Sequence, residues 1–231
     1  MTIEISFALT LRLTEVMLAL ALGQQALEHL SLGRDRALFA ARLLCCLWLL
    51  TGWQAGAAMA VLWLSHLVVL HRFNGPYNGG ADKMGLLIST CLLAAHFAPE
   101  PRWAELAISY LAVQLVLSYF VSGYVKIVNP EWRSGQALVD VYRFSAYPVA
   151  EDLRRFAQCP KLLWAMSWCV MGFEVVFPLT LFHPLALLSG MAVAATFHLA
   201  NACLFGLNRF FWIWLCAYPS LIWFQERLVM S

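Results

Sequence analysis

Long apolar stretches separated by short polar breaks run along the whole chain. This pattern predicts eight helices of about 17 residues or more, because about 30 Å of hydrocarbon is crossed at about 1.5 Å per residue. The predicted helices cover residues 5–30, 36–52, 55–72, 83–98, 103–127, 161–182, 185–206 and 209–225. Pro178 and Pro219 fall inside apolar runs, where they are expected to kink a helix. The predicted fold class is therefore all-α, a polytopic membrane helix bundle of about eight transmembrane helices.

The segment 127–160 is the one long connection between predicted helices. It interleaves aromatic and charged residues, a mixture typical of the membrane interface. We predict one or two short amphipathic helices there, lying against the membrane after the fifth helix. Two interpretations stay open: an interfacial connector with snorkelling arginines, or a lid over an intramembrane cavity. Residues 1–231 are predicted to form a single integral membrane domain that contains this connector.

Composition excludes a soluble domain. The chain is 62% hydrophobic and 12% charged, with a mean hydropathy of +0.72. Its net charge of +2, spread between apolar segments, gives no reason to expect nucleic acid as a partner, whereas membrane lipid is expected. The seven cysteines include no CxxC pair and no two of the six histidines stand four residues apart. The pattern therefore predicts neither a dithiol redox centre nor a metal site.

Lysine and arginine fall unevenly on the two sides of the predicted bundle. The connections after helices 1, 3, 5 and 7 carry eleven of them, and the other side carries mainly Arg102 and Arg227. Such a bias marks the cytoplasmic side. We therefore expect a bacterial cytoplasmic (inner) membrane protein with 127–160 in the cytoplasm. The eleven residues are Arg34, Arg36, Arg72, Lys83, Lys126, Arg133, Arg143, Arg154, Arg155, Lys161 and Arg209.

The predicted fifth helix carries a polar stripe that ends in a lysine. Its members recur every four residues and so share one helix face: Tyr110, Gln114, Ser118, Ser122 and Lys126. Charged groups are costly at membrane depth, which makes Lys126 a candidate for function. A lysine that is desolvated in a cavity can serve as a general base. The alternative is an ordinary helix-end lysine that snorkels to the interface.

Further polar residues lie in the sixth and seventh predicted helices. His198 and Asn201 are three residues apart and share a face, where they can serve a site or hydrogen-bond across helices. Glu174 stands mid-helix, where a carboxylate needs a partner or must be protonated. Lys126, His198 and Arg12 are the candidates for that partner.

Two of these stretches resemble a known family. Residues 119–132, YFVSGYVKIVNPEW, are similar to the segment of vitamin K-dependent γ-glutamyl carboxylase in which glycine and lysine precede an acidic residue and tryptophan. Residues 197–205, FHLANACLF, are similar to its Phe-His-x-x-Asn-x-x-Leu-Phe segment. Both also resemble bacterial relatives grouped as the HTTM (horizontally transferred transmembrane) domain family. The order of the helices is similar from about residue 60 to residue 225.

The resemblance implies a membrane enzyme of the lyase or oxygenase type that uses vitamin K hydroquinone or another quinone. In the carboxylase, a lysine of the first segment deprotonates the hydroquinone. Oxygenation of that anion yields a strong base, which removes a γ-proton from glutamate so that carbon dioxide can add. Lys126 matches the lysine and His198 the histidine, so both are expected catalytic residues, and a peptide or protein substrate is implied. The predicted ligand-binding residues are Asn201, Trp132, Tyr124 and Glu174.

Three functions stay open on the sequence. A carboxylase-like enzyme that uses a lipophilic quinone predicts one cavity lined by Lys126, His198 and Asn201. A non-catalytic membrane partner, or an assembly component of a larger complex, predicts a hydrophobic groove with Lys126 exposed outside it. An uptake or immunity-type protein predicts a continuous polar path, for which charged residues within the spans are sparse.

Overall fold

The computed structural model describes residues 5–33, 35–72, 79–144, 146 and 149–230. Within these residues the secondary structure is helical, without strands, which confirms the predicted all-α fold class. The α-helices are α1 (Phe7–Leu32), α2 (Arg36–Thr51), α3 (Ala55–Arg72), α4 (Gly79–His96), α5 (Pro101–Val128), α6 (Pro130–Ser134), α7 (Gln136–Phe144), α8 (Pro160–Val176), α9 (Pro184–Phe205), α10 (Asn208–Cys216) and α11 (Tyr218–Met230). Two 3₁₀ helices, Glu151–Gln158 and Phe177–Phe182, precede and follow α8.

Proline determines where two predicted helices change course. The eighth predicted helix is divided, because α10 ends at Cys216 and α11 begins at Tyr218. Pro219 explains this break, since proline lacks an N–H group and its ring clashes with the carbonyl four residues earlier. Pro178 acts similarly: α8 ends at Val176 and continues as the second 3₁₀ helix. Both prolines therefore disturb helices as predicted.

Five helical segments are long and apolar enough to cross a membrane. They are α1, α3, α5, Pro160–Phe182 and α9. The remaining long helices are shorter or less apolar; α2 has 16 residues, and α10 and α11 have 9 and 13. The number of eight spans therefore stays a prediction.

The chain divides into two compact units, and the first unit runs up to Val113 and resumes at Arg209. In it α1 packs against α2, α4 and α11, and α3 packs against α2 and α4. Its core includes Leu18, Leu22, Phe39, Leu49, Met59 and Leu62. Its helices also bury the polar side chains of Arg42, His66 and Asp82.

The second unit, Gln114–Asn208, contains the end of α5, the segment 127–160, α8 and α9. The segment 127–160 contains α6, α7 and a 3₁₀ helix, so it is helical as predicted, with three short elements where one or two were expected. Gly135 ends α6 with a φ of +79°, and a Cβ there would lie 2.7 Å from the Cα of Trp164. Only glycine fits both this backbone and this contact. The interfacial position of the segment, and the single domain over 1–231, stay predictions.

Candidate functional site

A glycine brings α5 and α8 into close contact. A Cβ added at Gly123 would lie 2.8 Å from both the Cβ of Glu174 and the Cγ2 of Val175. Because glycine has no side chain, the backbone of α5 can approach α8 at this level. Lys126 lies three residues further along α5, on the turn that follows. The close approach therefore brings Lys126 within reach of Glu174.

Lys126 and Glu174 form a buried ion pair. The Nζ of Lys126 lies 2.6 Å from each carboxylate oxygen of Glu174 and 2.7 Å from the Oγ of Ser122. The Ser122 hydroxyl donates in turn to Oε1 of Glu174, at 3.2 Å. The side chains of Lys126 and Glu174 are 15% and 3% exposed. The three ammonium hydrogens thus have three acceptors, which is what a buried lysine requires.

Trp132 lies against this ion pair. The Nζ of Lys126 is 5.3 Å from the centroid of the Trp132 ring, within the range of a cation–π interaction. Two hydrogen bonds join this part of the chain to α8: Ser167 Oγ donates to Trp132 O at 2.5 Å, and Trp168 Nε1 donates to Arg133 O at 3.1 Å. The indole is therefore positioned by its backbone as well as by the cation.

A second polar contact lies on the same face of α5. The hydroxyl of Tyr119 is 3.0 Å from Nε2 of His198, and both residues are buried. Tyr119 also packs against Phe173 and Phe177, with ring centroids at 6.0 and 4.3 Å. Tyr119 precedes Lys126 by seven residues, which is two helical turns. One face of α5 therefore carries contacts to both α8 and α9.

Residues 95–226 match the family model of the HTTM domain, which is more than half of the chain. The chain belongs to the HTTM domain family. This domain is a membrane domain associated with vitamin K-dependent carboxylase-like proteins, and the protein is an integral membrane protein. No curated protein and no solved structure matches the chain. The matched residues of the HTTM domain include the whole of the Lys126–Glu174 cluster and His198.

The predicted site residues of the HTTM domain do not all lie together. The structure joins Lys126, Glu174 and Trp132 directly, and of the three partners considered for Glu174 it selects Lys126. Asn201 lies one turn beyond His198, partly buried, and its backbone carbonyl accepts from Leu207 N at 3.3 Å. Tyr124 is 56% exposed and two residues from Lys126, so it lies on a different face of α5. The role of each residue stays a prediction.

Three residues of the candidate site were not predicted as site residues. Ser122 belongs to the polar stripe, and its position four residues before Lys126 indicates that the two side chains are neighbours on one helix face. Tyr119 stands seven residues before Lys126, a spacing that also indicates a shared face. Gly123 carried no signal of its own, because its importance depends on which helix lies opposite.

The arrangement limits the available chemistry. A lysine that holds three hydrogen-bonded protons donates but does not accept, so it must first release a proton to act as a base. The oxygens of Glu174, at 2.6 Å, are the nearest acceptors for that proton. The Tyr119 hydroxyl and the His198 imidazole are groups that both donate and accept hydrogen bonds. One face of α5 thus carries an amine paired with a carboxylate and, two turns earlier, a phenol paired with an imidazole.

Proposed function

We propose that this protein is a carboxylase-like membrane protein that binds a quinol or a similar lipophilic ligand, with Lys126 and Glu174 acting together as proton acceptor. The observation that carries the proposal is the buried Lys126–Glu174 ion pair within the matched HTTM domain. Ionisable groups inside membrane proteins are costly and are kept where they serve a function. The proposal refines the resemblance, because the base is a pair and not a lone lysine.

The donor set of the cluster suits such a ligand. A quinol presents hydroxyl groups on an aromatic ring, which call for a proton acceptor, a hydrogen-bonding partner and aromatic neighbours. Lys126 with Glu174 is the acceptor, His198 with Tyr119 is the hydrogen-bonding partner, and Trp132 is an aromatic neighbour. When bound, the quinol would supply an acidic hydroxyl and an oxygen-reactive ring for the carboxylation chemistry.

Each residue of the site has its own role in the proposed proton transfer. Transfer of one proton from Nζ of Lys126 to an oxygen of Glu174 leaves a neutral amine that can accept a proton. The Ser122 hydroxyl, which contacts both groups, holds them in register during the transfer. Burial excludes water, which strengthens the interactions among these groups. His198 and Tyr119 orient the ligand by hydrogen bonding, while glutamate in a peptide or protein is the proposed final substrate.

Mass spectrometry of the purified protein tests ligand binding. The protein is isolated with its native lipid, and co-purifying quinones are quantified for the wild type, Lys126→Ala and Lys161→Ala. Lys161 is the matched control because it is an exposed lysine of the same unit, at the start of α8. We expect quinone with the wild type and Lys161→Ala, and at least a tenfold loss with Lys126→Ala. Equal quinone content in all three, or none in any, contradicts the proposal.

The proposed membrane is the bacterial cytoplasmic membrane, with the segment 127–160 on its cytoplasmic side, supported by the distribution of basic residues. Cys159 is an exposed thiol within this segment and reports its side. In intact cells a membrane-impermeant maleimide should leave Cys159 unlabelled, and in inverted vesicles it should label it. Cys159→Ser identifies the signal, and labelling in intact cells would reverse the orientation.

A second function is favoured by the hydrogen bonding of Lys126, whose ammonium group has no donor left for a ligand. All three of its donors are used by Glu174 and Ser122, as in a bond that fastens α5 to α8. A non-catalytic membrane partner or assembly component of a larger complex needs no more than this. In that case Lys126→Met with Glu174→Leu, which removes both charges together, should preserve folding and complex assembly. An enzyme with this double substitution should fold but lose its turnover.

A further inference from the structure

A chain of buried polar side chains crosses four helices of the first unit. Arg42 of α2 is 0% exposed and donates from Nη2 to Oε1 of Gln25, at 3.2 Å. Gln25 of α1 donates in turn from Nε2 to Oδ1 of Asp82 on α4, also at 3.2 Å. Arg42 Nη1 donates to the Ser65 hydroxyl of α3, at 3.0 Å. A glutamine amide thus bridges a buried guanidinium and a buried carboxylate.

His66 of α3 ends this chain with one nitrogen unsatisfied. Its Nε2 lies 2.8 Å from the backbone carbonyl oxygen of Asp82. A carbonyl only accepts, so Nε2 carries the hydrogen, and Nδ1 of the neutral ring is an acceptor. His66 is 1% exposed, and among the described residues its Nδ1 has no hydrogen-bond partner. A buried acceptor of this kind calls for a donor.

The position of the imidazole depends on a glycine. A Cβ at Gly85 would lie 2.7 Å from Cε1 of His66 and 3.5 Å from Cδ1 of Ile213. The ring therefore occupies space that any other residue at position 85 would fill. Such a fit, together with the bond to Asp82, holds the ring in one orientation.

The imidazole lines a small cavity. The other polar side chains that line it are Gln25, Asp82 and Arg209, and Ala81 is among its apolar neighbours. Its volume is about 10 Å³, close to what one water molecule needs. A single buried water normally has two to four polar partners, and this lining offers four. The space open to water thus suits one such molecule.

The charges around the cavity favour a neutral occupant. Arg209 of α10 is held by Glu28 Oε2 at 3.0 Å and lies 3.0 Å from Nε2 of His29. Arg209 is thus paired with the carboxylate of Glu28, and Arg42 is joined to the carboxylate of Asp82 through Gln25. An additional ion of either sign would upset this balance, whereas a water can donate to Nδ1 of His66 and accept from a neighbour.

We propose that Gln25, His66, Asp82 and Arg209 form a binding site for one water molecule, which donates a hydrogen bond to Nδ1 of His66. The water completes the hydrogen bonding of the polar layer and links α1, α3, α4 and α10. All four ligands of this site belong to the first unit, whereas Lys126 and Glu174 belong to the second. The water site does not depend on the proposed function.

A matched pair of substitutions tests the site. Ala81→Thr and Ala81→Val add side chains of nearly the same shape, but only threonine supplies a hydroxyl. With a water site, valine displaces the water and leaves Nδ1 unsatisfied, whereas the threonine hydroxyl can replace it. We expect the folding equilibrium of Ala81→Val to be roughly tenfold less favourable than that of Ala81→Thr. Thermal unfolding of the purified protein in detergent measures the difference.

The variant His66→Leu is the control. Leucine has no acceptor in place of Nδ1, so the difference between threonine and valine should shrink in this background. A dry cavity reverses the order, because an apolar methyl group then fills empty space and stabilises the protein. If both Ala81 variants fail to fold, an experimental density map of the wild type decides: a water peak beside His66 supports the site, and a cavity without one overturns it.

Discussion

The two units stabilise their buried charges differently, one by a direct ion pair and the other through a bridging amide. In the second unit Lys126 contacts Glu174 directly, at 2.6 Å, and the contact is nearly closed to solvent. In the first unit the amide of Gln25 stands between Arg42 and Asp82, with 3.2 Å on each side. A direct pair offers a short path for a proton. A bridged pair keeps its charges fixed and leaves room for a cavity beside them.

This difference indicates different roles. A group that takes part in proton transfer must touch its partner, because the transfer occurs along a hydrogen bond. A group that fixes helix positions benefits from several weaker contacts spread over several helices. Under the proposed function, the second unit contains the reacting groups, and the layer around Arg42 fixes helix positions. The four experiments below test this distinction, from the largest expected effect to the smallest.

Breaking the direct pair should have the largest effect. Glu174→Leu leaves a buried ammonium without its counter-charge, which costs about 3–5 kcal/mol in the free energy of unfolding. Adding Lys126→Met should recover most of that loss, because no buried charge is then left unpaired. Unfolding in detergent measures both, and Lys161→Met serves as the exposed control. If the double variant did not regain stability, the two side chains would stabilise the protein through contacts other than their ion pair.

Breaking the bridge should have the next largest effect. Gln25→Leu removes one acceptor from Arg42 and one donor from Asp82, at about 1–3 kcal/mol for each group left unsatisfied. The same unfolding assay applies, and the quinone content of the protein provides the second readout. We expect lower stability with unchanged quinone content. A loss of quinone at retained stability would remove the distinction between chemical and structural clusters.

Overpacking the contact of α5 with α8 should have a smaller effect. Gly123→Ala places a Cβ 2.8 Å from Glu174 and should cost about 1–3 kcal/mol of unfolding free energy, besides displacing the ion pair. Gly172→Ala is its control on α8, because nothing lies within 4 Å of the added Cβ. There alanine should be neutral or should stabilise by about 0.5–1 kcal/mol, since it restricts the unfolded chain. Equal effects of the two substitutions would argue against a close approach at Gly123.

An exposed pair provides the reference with the smallest effect. Arg154 donates to Glu151 at 2.7 Å, and this hydrogen bond, with the positive charge, lowers the pKa of Glu151 below its ordinary value. The contribution to stability is therefore present above the unfolded-state pKa of a glutamate and is lost as the pH falls through the lower folded value. Glu151→Gln should abolish that acid dependence with little change at neutral pH. An NMR titration of the Glu151 carboxyl checks the direction, and a raised pKa would contradict it.

The sequence was sufficient for the helices and for single polar residues, because both depend on local composition and spacing. Lys126, Glu174 and His198 stood out because charge and polarity are rare in apolar helices. Gly123 and Gly85 could not be recognised, since each is important only for the side chain of another helix that comes to lie against it. Likewise, Gln25 between Arg42 and Asp82 joins three helices, and no periodicity within one helix reports such a contact.

The break between α10 and α11 was only partly predictable. Pro219 indicated a kink, but whether a proline bends a helix or ends it depends on the packing of the neighbouring turns. The pairing of Glu174 was open for a related reason. Arg12, His198 and Lys126 were all candidate partners, and the close approach at Gly123 selects Lys126.

The ion pair also has a consequence for how the protein is made. Lys126 and Glu174 are separated by 48 residues, so α5 leaves the ribosome well before its partner helix. At a synthesis rate of about 5–20 residues per second, Lys126 is made some seconds before Glu174. A lone glutamate within the apolar segment Pro160–Phe182 is costly to insert, and a lysine that is already at the membrane offsets that cost. Lys126→Met should therefore lower the insertion efficiency of α8 during synthesis, which a glycosylation-site insertion assay measures; unchanged insertion would mean that the two helices enter independently.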